Sequence, residues 1–341
     1  MFKNVSVYRL PADWQPTLEE MEAALDGERF QPCGATQEKS AGWVEPRGEA
    51  HGPLVESIDG QRILRFQIET KSVPGSVVRK KAQEAADHIE ATTGRKPSKK
   101  ETKGLREDAL QSLLPQAFAR QSQVWVWINL DKGWLISDAS SQGKTDEVIS
   151  ALIDVFGGLA IAPVHTAMTP QTAMTRWLAA ETPDELPGAI CVERECELKS
   201  HDEERSVVKF TRHNLATDEV RKHITEGKLP TKLALSWEGR VGFVLTESMQ
   251  LKKVAFLEGV FEDRAAQADG DDDFDANVAL ATGELRQLIP ALIEALEGEI
   301  SAEDALAAAA ASVRANATTG DGRPVEVHSK VTAGDDADAP F

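Results

Sequence analysis

The sequence is poor in cysteine and in long apolar runs. Three cysteines among 341 residues, Cys33, Cys191 and Cys196, cannot build a disulfide framework, and so few thiols favour a reducing compartment. No stretch approaches the roughly 20 consecutive apolar residues that a membrane-spanning helix needs, and the first residues lack the pattern of a signal or transit peptide. We therefore expect a cytoplasmic protein without a membrane partner, built of two or three units at about 150 residues each.

The sequence also lacks the motifs of the common catalytic sites. Residues 143–145 (Gly-Lys-Thr) match the end of a phosphate-binding loop, but Asp138 stands where that loop requires glycine. Cys191 and Cys196 lie in one predicted strand without a histidine pair nearby, so they do not predict a zinc site. Residues 201–204 (His-Asp-Glu-Glu) could serve a metal-dependent nuclease, but the pattern favours a solvated acidic loop. We predict no enzyme, no cofactor and no bound metal.

Basic residues are outnumbered by acidic ones, 38 to 56, but they are concentrated in two blocks. The formal net charge of −18 would by itself repel a polyanion such as DNA. Residues 71–120 carry a net charge of +5 and residues 205–253 another +5, whereas residues 254–341 carry −14. At a Debye length of about 8 Å, a phosphate on a basic surface is screened from acids on a distant one. Nucleic acid is therefore not excluded as a partner.

The periodicity of apolar residues predicts an α+β protein with mixed sheets and a long C-terminal helix that contains Pro290. Strands are predicted at residues 5–10, 62–69, 123–130, 134–137, 189–197, 205–211, 231–237, 241–246 and 251–257. Helices are predicted at residues 18–25, 76–92, 98–114, 146–156, 169–180, 218–226 and 277–297.

These elements predict four regions. Residues 1–74 and 120–180 would form a central α/β unit, and residues 181–300 a second α+β unit. Residues 75–119 form two helices with a thin apolar stripe, which we call the basic arm and expect to project from the protein. Residues 301–341 are acidic and poor in apolar residues, so we expect a disordered tail.

The basic arm carries the first group of candidate DNA contacts. Its candidate lysines are Lys80, Lys81, Lys99 and Lys100. Because Pro115 ends the second helix, Phe118 falls in a loop beside Arg120. Phe118 either packs beneath the arm or forms an apolar tip that stacks on or wedges between bases. The lysine run alone is more typical of a solvated helical face.

The second basic block spreads cations over strands and their loops. The candidate phosphate contacts there are Lys209, Arg212, Lys232, Lys252 and Lys253. A sheet that carries several cations suits phosphates without reading bases, and no helix-turn-helix, zinc-finger or ribonucleoprotein motif is present. DNA binding at these residues would therefore be independent of sequence and would depend steeply on salt.

Seven groups of short segments follow one another along most of the chain. They are Phe-Lys-Asn at 2–4 with Tyr-Arg-Leu at 8–10, Phe-Gln-Pro-Cys-Gly at 30–34, Gly-Trp-Val-Glu-Pro at 42–46, Ser-Leu-Leu-Pro-Gln-Ala-Phe at 112–118, Thr-Lys-Leu-Ala-Leu-Ser-Trp at 231–237, Leu-Lys-Lys at 251–253, and Phe-Asp-Ala at 274–276 with Thr-Gly-Glu-Leu at 282–285. With these segments the chain resembles the bacterial recombination-associated RdgC family. Only the tail beyond about residue 300 lies outside the resemblance.

The resemblance implies a ring-shaped homodimer, closed by two contacts, with duplex DNA in a basic central hole. It implies binding without sequence preference, antagonism of RecA by competition for DNA, and a role at the nucleoid in recombination and replication-fork repair. In the family, the aromatic tip and the loop after a strand of the second unit lie near the ring contacts and DNA, which corresponds here to Phe118, Arg212 and His213. Relatives tend to have lysine and glutamine at the last two positions, so His213 departs from the pattern, and we expect its protonation to make ring closure sensitive to pH.

Two other classes of function stay open. A protein-interaction adaptor would use its acidic surface and tail to bind a basic partner, and its basic blocks would be structural. A metal-dependent nuclease would cleave DNA when magnesium is added. The salt dependence of duplex binding separates the DNA-binding protein from the adaptor, because only the former neutralises phosphates.

Overall fold

A computed structural model of the chain describes residues 1–182, 185–200, 202, 204–257, 260, 273–301, 303 and 304. Residues 1–299 form one compact unit, and the residues from 300 onward belong to a second. In the second unit, the Ser301 hydroxyl and the Asp304 carboxylate are hydrogen-bonded to each other at 2.7 Å. Apart from Ser301, Glu303 and Asp304, the acidic tail predicted at 301–341 lies outside the described residues.

The described elements include all seven helices and all nine strands predicted from the sequence, with shifted ends, and five further strands. The helices are α1 (Leu18–Asp26), α2 (Gly75–Thr93), α3 (Lys99–Leu113), α4 (Gln142–Val155), α5 (Pro170–Ala179), α6 (Asp218–Thr225) and α7 (Asp273–Ala295). The strands are β1 (Asn4–Arg9), β2 (Lys39–Val44), β3 (Val55–Ile58), β4 (Gln61–Lys71), β5 (Ala119–Asn129), β6 (Trp134–Ser137), β7 (Ala162–Pro163), β8 (His165–Thr166), β9 (Ile190–Ser200), β10 (Val207–Thr211), β11 (Lys228–Trp237), β12 (Val241–Thr246), β13 (Leu251–Phe256) and β14 (Glu299–Ile300). The predicted α+β class and the long C-terminal helix with an internal Pro290 are confirmed.

Among the described residues, twelve strands form one sheet in the order β10-β9-β11-β12-β13-β1-β6-β5-β4-β2, with β3 and β7 paired to β4 and β1. Each of these pairs is antiparallel. The expectation of mixed sheets is therefore wrong for this sheet. Short turns connect β5 to β6 and β11 to β12, and connections that short permit only antiparallel neighbours.

Strand β1 joins the two halves of the sheet. On one side Asn4 and Val5 pair with Lys252 and Leu251 of β13. On the other side the strand pairs with β6, beginning at Ser6 opposite Ser137. The strands of the two units predicted from sequence thus meet edge to edge at β1, and the division into those units stays a prediction.

Local sequence signals set the ends of several helices. Thr17 and Ser98 each accept a hydrogen bond from the backbone of a glutamate three residues later, and that glutamate's carboxylate accepts one from the cap residue's N–H. These capping boxes satisfy amide groups that the first turn of a helix leaves unpaired. Gly94 follows α2 with a φ of +72°, a left-handed conformation that glycine adopts without steric cost.

Two apolar cores lie on opposite faces of the sheet. Along β5, the side chain of Trp127 enters the core packed under α5 and α7, whereas Val126 and Ile128 enter the core packed under α1 and α4. Successive side chains of a strand point to opposite faces, so an apolar run such as β5 is covered on both. The β5–β6 hairpin therefore lies inside a covered sheet. Each large side chain buried in this way contributes about 1.5–3 kcal/mol.

The three cysteines are free thiols. Burial raises the pKa of the Cys196 thiol to about 12, so this residue behaves as a small apolar group of the core. Among the described residues, no helix combines the length and the apolarity that crossing a bilayer requires.

A close backbone approach accounts for the glycine in the Gly-Trp-Val-Glu-Pro segment. The backbone of residues 28–30 lies directly over Gly42 and leaves no room for a side chain. A Cβ atom at Gly42 would lie 2.6 Å from Cα and 2.7 Å from N of Phe30. We expect Gly42→Ala to lower the free energy of unfolding by about 1–3 kcal/mol, since backbone atoms must shift. Gly27→Ala is the control, because no atom lies within 4 Å of its added Cβ. Equal unfolding midpoints of the two variants in urea would contradict this explanation.

Candidate nucleic-acid interface

Register within the sheet brings four candidate lysines into one groove. Lys209 of β10 lies opposite Glu197 of β9, and Glu197 lies opposite Lys232 of β11. Because Phe210 and Leu233 enter the core under α5 and α7, alternation places Lys209 and Lys232 on the other face. The groove has a volume of about 380 Å³. We call it the lysine groove, and its charged side chains are Lys209, Lys232, Lys252, Lys253, Glu195 and Glu197.

A β-bulge in β13 allows two consecutive lysines to line this groove. Between the pairs Gly242–Ala255 and Val244–Lys252, β13 has one residue more than β12. Lys253 has a φ of +54° at this position. An extra residue interrupts the alternation of side chains, so Lys252 and Lys253 both reach the groove instead of facing opposite sides of the sheet.

The carboxylate of Glu197 lies at the centre of the lysine groove. Its Oε2 is 2.9 Å from Nζ of Lys209, and both of its oxygens are 3.1 Å from Nζ of Lys232. The hydroxyl of Thr231 donates to Oε1 at 3.0 Å. Burial by itself would raise the pKa of the Glu197 carboxyl, but hydrogen bonds from Lys209, Lys232 and Thr231 outweigh it and lower that pKa to about 2.

The other two lysines of the groove differ in their partners. Nζ of Lys253 lies 2.6 Å from Oε1 of Glu195. Lys252 has no carboxylate within ion-pair distance in the part of the chain that the structure describes. The groove therefore holds four ammonium groups and two carboxylates, which leaves it a net positive charge, and Lys252 is the lysine without a carboxylate partner among the described residues.

Arg212 and His213 follow β10 and differ in how firmly they are held. Arg212 is exposed, with a φ of +55° that turns the chain at the end of the strand. The ring of His213 packs 5.3 Å from that of Phe210, its Nδ1 is 2.7 Å from the carbonyl oxygen of Asn214, and its Nε2 is 3.8 Å from Glu219. Arg212 is therefore the more exposed member of the pair, whereas several contacts hold the ring of His213 in place.

Phe118 is the most exposed large apolar side chain among the described residues, at 94% of its full accessible area. A short 3₁₀ turn (Leu114–Gln116) buries Leu114 and ends the arm, and β5 begins directly after Phe118. Arg120 is exposed on β5, opposite Thr70. The sequence left open whether Phe118 packs beneath the arm or forms an exposed tip, and in the structure it forms the exposed tip.

The lysines of the basic arm are exposed on both of its helices. Helices α2 and α3 each bury a single residue, Ala82 and Ala109, so nearly all of their surface faces solvent. The exposed candidates are Lys80, Lys81, Lys99 and Lys100. Lys99 and Lys100 occupy the first turn of α3, where the helix dipole disfavours cations.

The candidate residues thus form two groups rather than one. Lys209, Lys232, Lys252 and Lys253 meet in the lysine groove on the β9–β13 half of the sheet. Phe118, Arg120 and the arm lysines belong to the other half, next to β4 and β5.

Sequence reasoning missed a strip of amide and charged side chains on β4 and β5. Gln121 donates to Glu69 at 2.7 Å, Gln123 donates to Gln67 at 2.8 Å, and Arg65 donates to Gln123. The hydrogen bond from Gln121 is the main reason that the pKa of Glu69 lies below its ordinary value. In both strands these residues are spaced by two, which places them on one face of the sheet, and this spacing is visible in the sequence.

Sequence reasoning also missed the carboxylates of the groove. Glu195 and Glu197 belong to an acidic stretch of sequence, but β9 lies between β11 and the basic strand β10. Their alternate spacing predicts a shared face, but nothing in the sequence identifies β10 and β11 as the neighbours of β9. The nuclease alternative falls partly outside the described residues, since His201 and Glu203 are not among them. Among those that are described, no three histidine, cysteine, aspartate or glutamate side chains could hold a metal ion together.

The fold and these sites define an α+β protein that presents cations on the open face of a wide antiparallel sheet and carries an exposed aromatic tip on a helical arm. Comparison with known proteins identifies the family within this class. A family model described as "Putative exonuclease, RdgC" matches residues 1–299. Proteins named "Recombination-associated protein RdgC" share 39% identity over 300 residues in Janthinobacterium sp. (strain Marseille) and 41% over 299 residues in Herminiimonas arsenicoxydans.

These alignments cover 88% and 87% of this chain and 98% of each relative. A third relative of the same name, from Dechloromonas aromatica (strain RCB), is 39% identical over 303 residues. The chain therefore belongs to the RdgC family, as the segments quoted from the sequence indicate.

The exposure of Phe118 leads to a prediction about stability. We expect Phe118→Ala to change the free energy of unfolding by less than about 0.5 kcal/mol, because the ring has almost no packing to lose. Phe66→Ala is the control, since Phe66 is buried, and its loss should cost about 3–5 kcal/mol. Chemical denaturation followed by tryptophan fluorescence measures both. A large loss in Phe118→Ala would show that the ring packs against the protein in solution.

Proposed function

We propose that this protein binds double-stranded DNA without sequence preference and limits the access of RecA to DNA during recombination and replication-fork repair. Its relatives are named recombination-associated proteins, which supports a role at DNA. The observation that carries the proposal is the lysine groove, because β10, β11 and β13 contribute its four lysines to one open face. Such a protein acts at the nucleoid, in the cytoplasm.

Phosphates are the groups that this surface suits. Lysine ammonium groups attract phosphate as point charges, and all four cations of the groove are lysines, without the planar paired donors of arginine. The net charge of −18 does not oppose this binding, since acids more than a Debye length away are largely screened. Phe118 adds an exposed ring that suits wedging between base steps of a duplex or stacking on bases of a single strand, in both cases without reading sequence.

The assembly that we propose is a homodimer closed into a ring, with the lysine groove and the basic arm facing the central hole. A ring suits a surface that holds DNA only by phosphate contacts, because topology slows dissociation when individual contacts are weak. Phe118, Arg212 and His213 would lie near its contacts.

We propose further that the protein acts without cleaving DNA, although the family model is described with the word exonuclease. The relatives are named for recombination and not for a nuclease activity. Release of nucleotides from duplex DNA on addition of magnesium ions would contradict this part of the proposal.

Salt dependence tests phosphate binding directly. We expect the logarithm of the duplex association constant to fall by several units per tenfold rise in salt, at about 0.9 for each phosphate neutralised. Lys252→Gln should make this slope shallower by about 0.9, whereas Lys132→Gln, an exposed lysine in the β5–β6 turn, should not change it. Phe118→Ala removes no charge, so it should weaken binding with the slope retained. An absence of duplex binding at low salt would favour the adaptor.

Closed-circular DNA tests the ring. We expect complexes on closed circles to outlast complexes on linear duplex of the same sequence when salt is raised, because an intact ring cannot slide off a circle. Cutting the circle with a restriction enzyme should restore the linear dissociation rate. Equal lifetimes of the complexes on both substrates would contradict the closed ring and indicate an open complex.

A further inference from the structure

Glu197 lies where the proposed function requires a phosphate. It belongs to β9, which lies between β10 and β11, and it faces the lysines of both neighbours. Its two oxygens accept from three donors, Lys209, Lys232 and Thr231, at 2.9–3.1 Å. Two anionic oxygens surrounded by two ammonium groups and a hydroxyl form the arrangement that a bound phosphate oxygen pair would take.

This internal anion is present throughout the physiological pH range. Contact with two ammonium groups keeps the pKa of Glu197 near 2, so the carboxylate is ionised whenever the protein is folded near neutral pH. Its side chain is 18% exposed, so it lies near the surface of the groove and is not sealed in the core. An incoming phosphate therefore meets a groove in which three of the four lysines already have a carboxylate partner, two of them Glu197 itself.

We propose that Glu197 is a built-in competitor of the DNA phosphate, which occupies Lys209 and Lys232 and so limits the affinity of the lysine groove. The inference rests on the proposed function and adds to it a residue that sets how tightly DNA is held. A phosphate that approaches the groove binds first at Lys252, the lysine without a carboxylate partner among the described residues. To reach Lys209 and Lys232, it must displace the carboxylate or tolerate its repulsion.

The alternative role for Glu197 is to position Lys209 and Lys232 for DNA. If Glu197 positioned the two lysines for DNA, its removal would let them move and would weaken binding. The two roles predict changes of affinity in opposite directions, so one substitution separates them. A gain of affinity also cannot result from partial unfolding.

The test compares duplex affinity and its salt slope in wild type and Glu197→Gln. Glutamine keeps the shape and one acceptor oxygen but removes the charge. We expect affinity at 0.1 M salt to rise about fivefold to tenfold and the slope to steepen by about 0.9, as for one additional phosphate contact. Glu147→Gln is the matched control, because Glu147 also pairs with a lysine, Lys39 at 2.7 Å, and is similarly buried, but lies on α4. It should change affinity by less than about twofold.

The double variant Glu197→Gln with Lys209→Gln adds a second readout. It restores the net charge of the wild-type groove, so its affinity should return close to the wild-type value. If Glu197→Gln unfolds, Glu197→Asp replaces it, because the shorter carboxylate loosens its hold on the lysines and should give a smaller gain. Thermal unfolding of each variant identifies loss of structure.

The outcomes separate this inference from the function on which it rests. Unchanged or weaker binding by Glu197→Gln, beside a wild type that binds duplex, overturns the inference and leaves the proposed function intact. Duplex binding by Glu197→Gln alone would show that the carboxylate suppresses binding completely, which supports the inference and contradicts the function proposed for wild type. Failure of both proteins to bind at low salt overturns both proposals.

Discussion

The sheet depends on strand β1, which pairs with a different strand on each edge. Asn4 and Val5 pair with β13, and the following residues pair with β6, so the first strand of the chain connects segments that are far apart in sequence. Such long-range pairing costs loop-closure entropy, which burial of apolar side chains offsets. Phe2 and Val5, both fully buried, supply part of that burial beside the joint itself.

The same pairing decides where charges meet. In the sequence, the acids of β9 belong to a different block from the bases of β10 and β11, but the sheet places β9 between them. Opposite charges across neighbouring strands stabilise the pairing, and here they also reduce the positive charge of the groove. A phosphate-binding surface on a sheet therefore reflects the order of its strands more than the composition of any one segment.

The two candidate surfaces differ in rigidity. The lysine groove rests on five strands whose other faces are buried, so the backbone positions of its lysines are fixed by core packing. The basic arm buries little, and its helices depend on their caps and on each other. A fixed set of cations combined with a less constrained arm and an exposed aromatic ring suits DNA that is held by its backbone and not by its sequence.

The sequence alone determined the helices, most of the strands and the family, because these depend on local spacing and on short ordered segments. It also predicted that Phe118 leaves the end of a helix, since Pro115 stops that helix. Only the tertiary structure decided that Phe118 is exposed, that Lys252 and Lys253 share a face, and that Glu197 lies between Lys209 and Lys232. The physical reason is that strand order, register and bulges arise from pairing between distant segments, which the periodicity of a single segment does not contain.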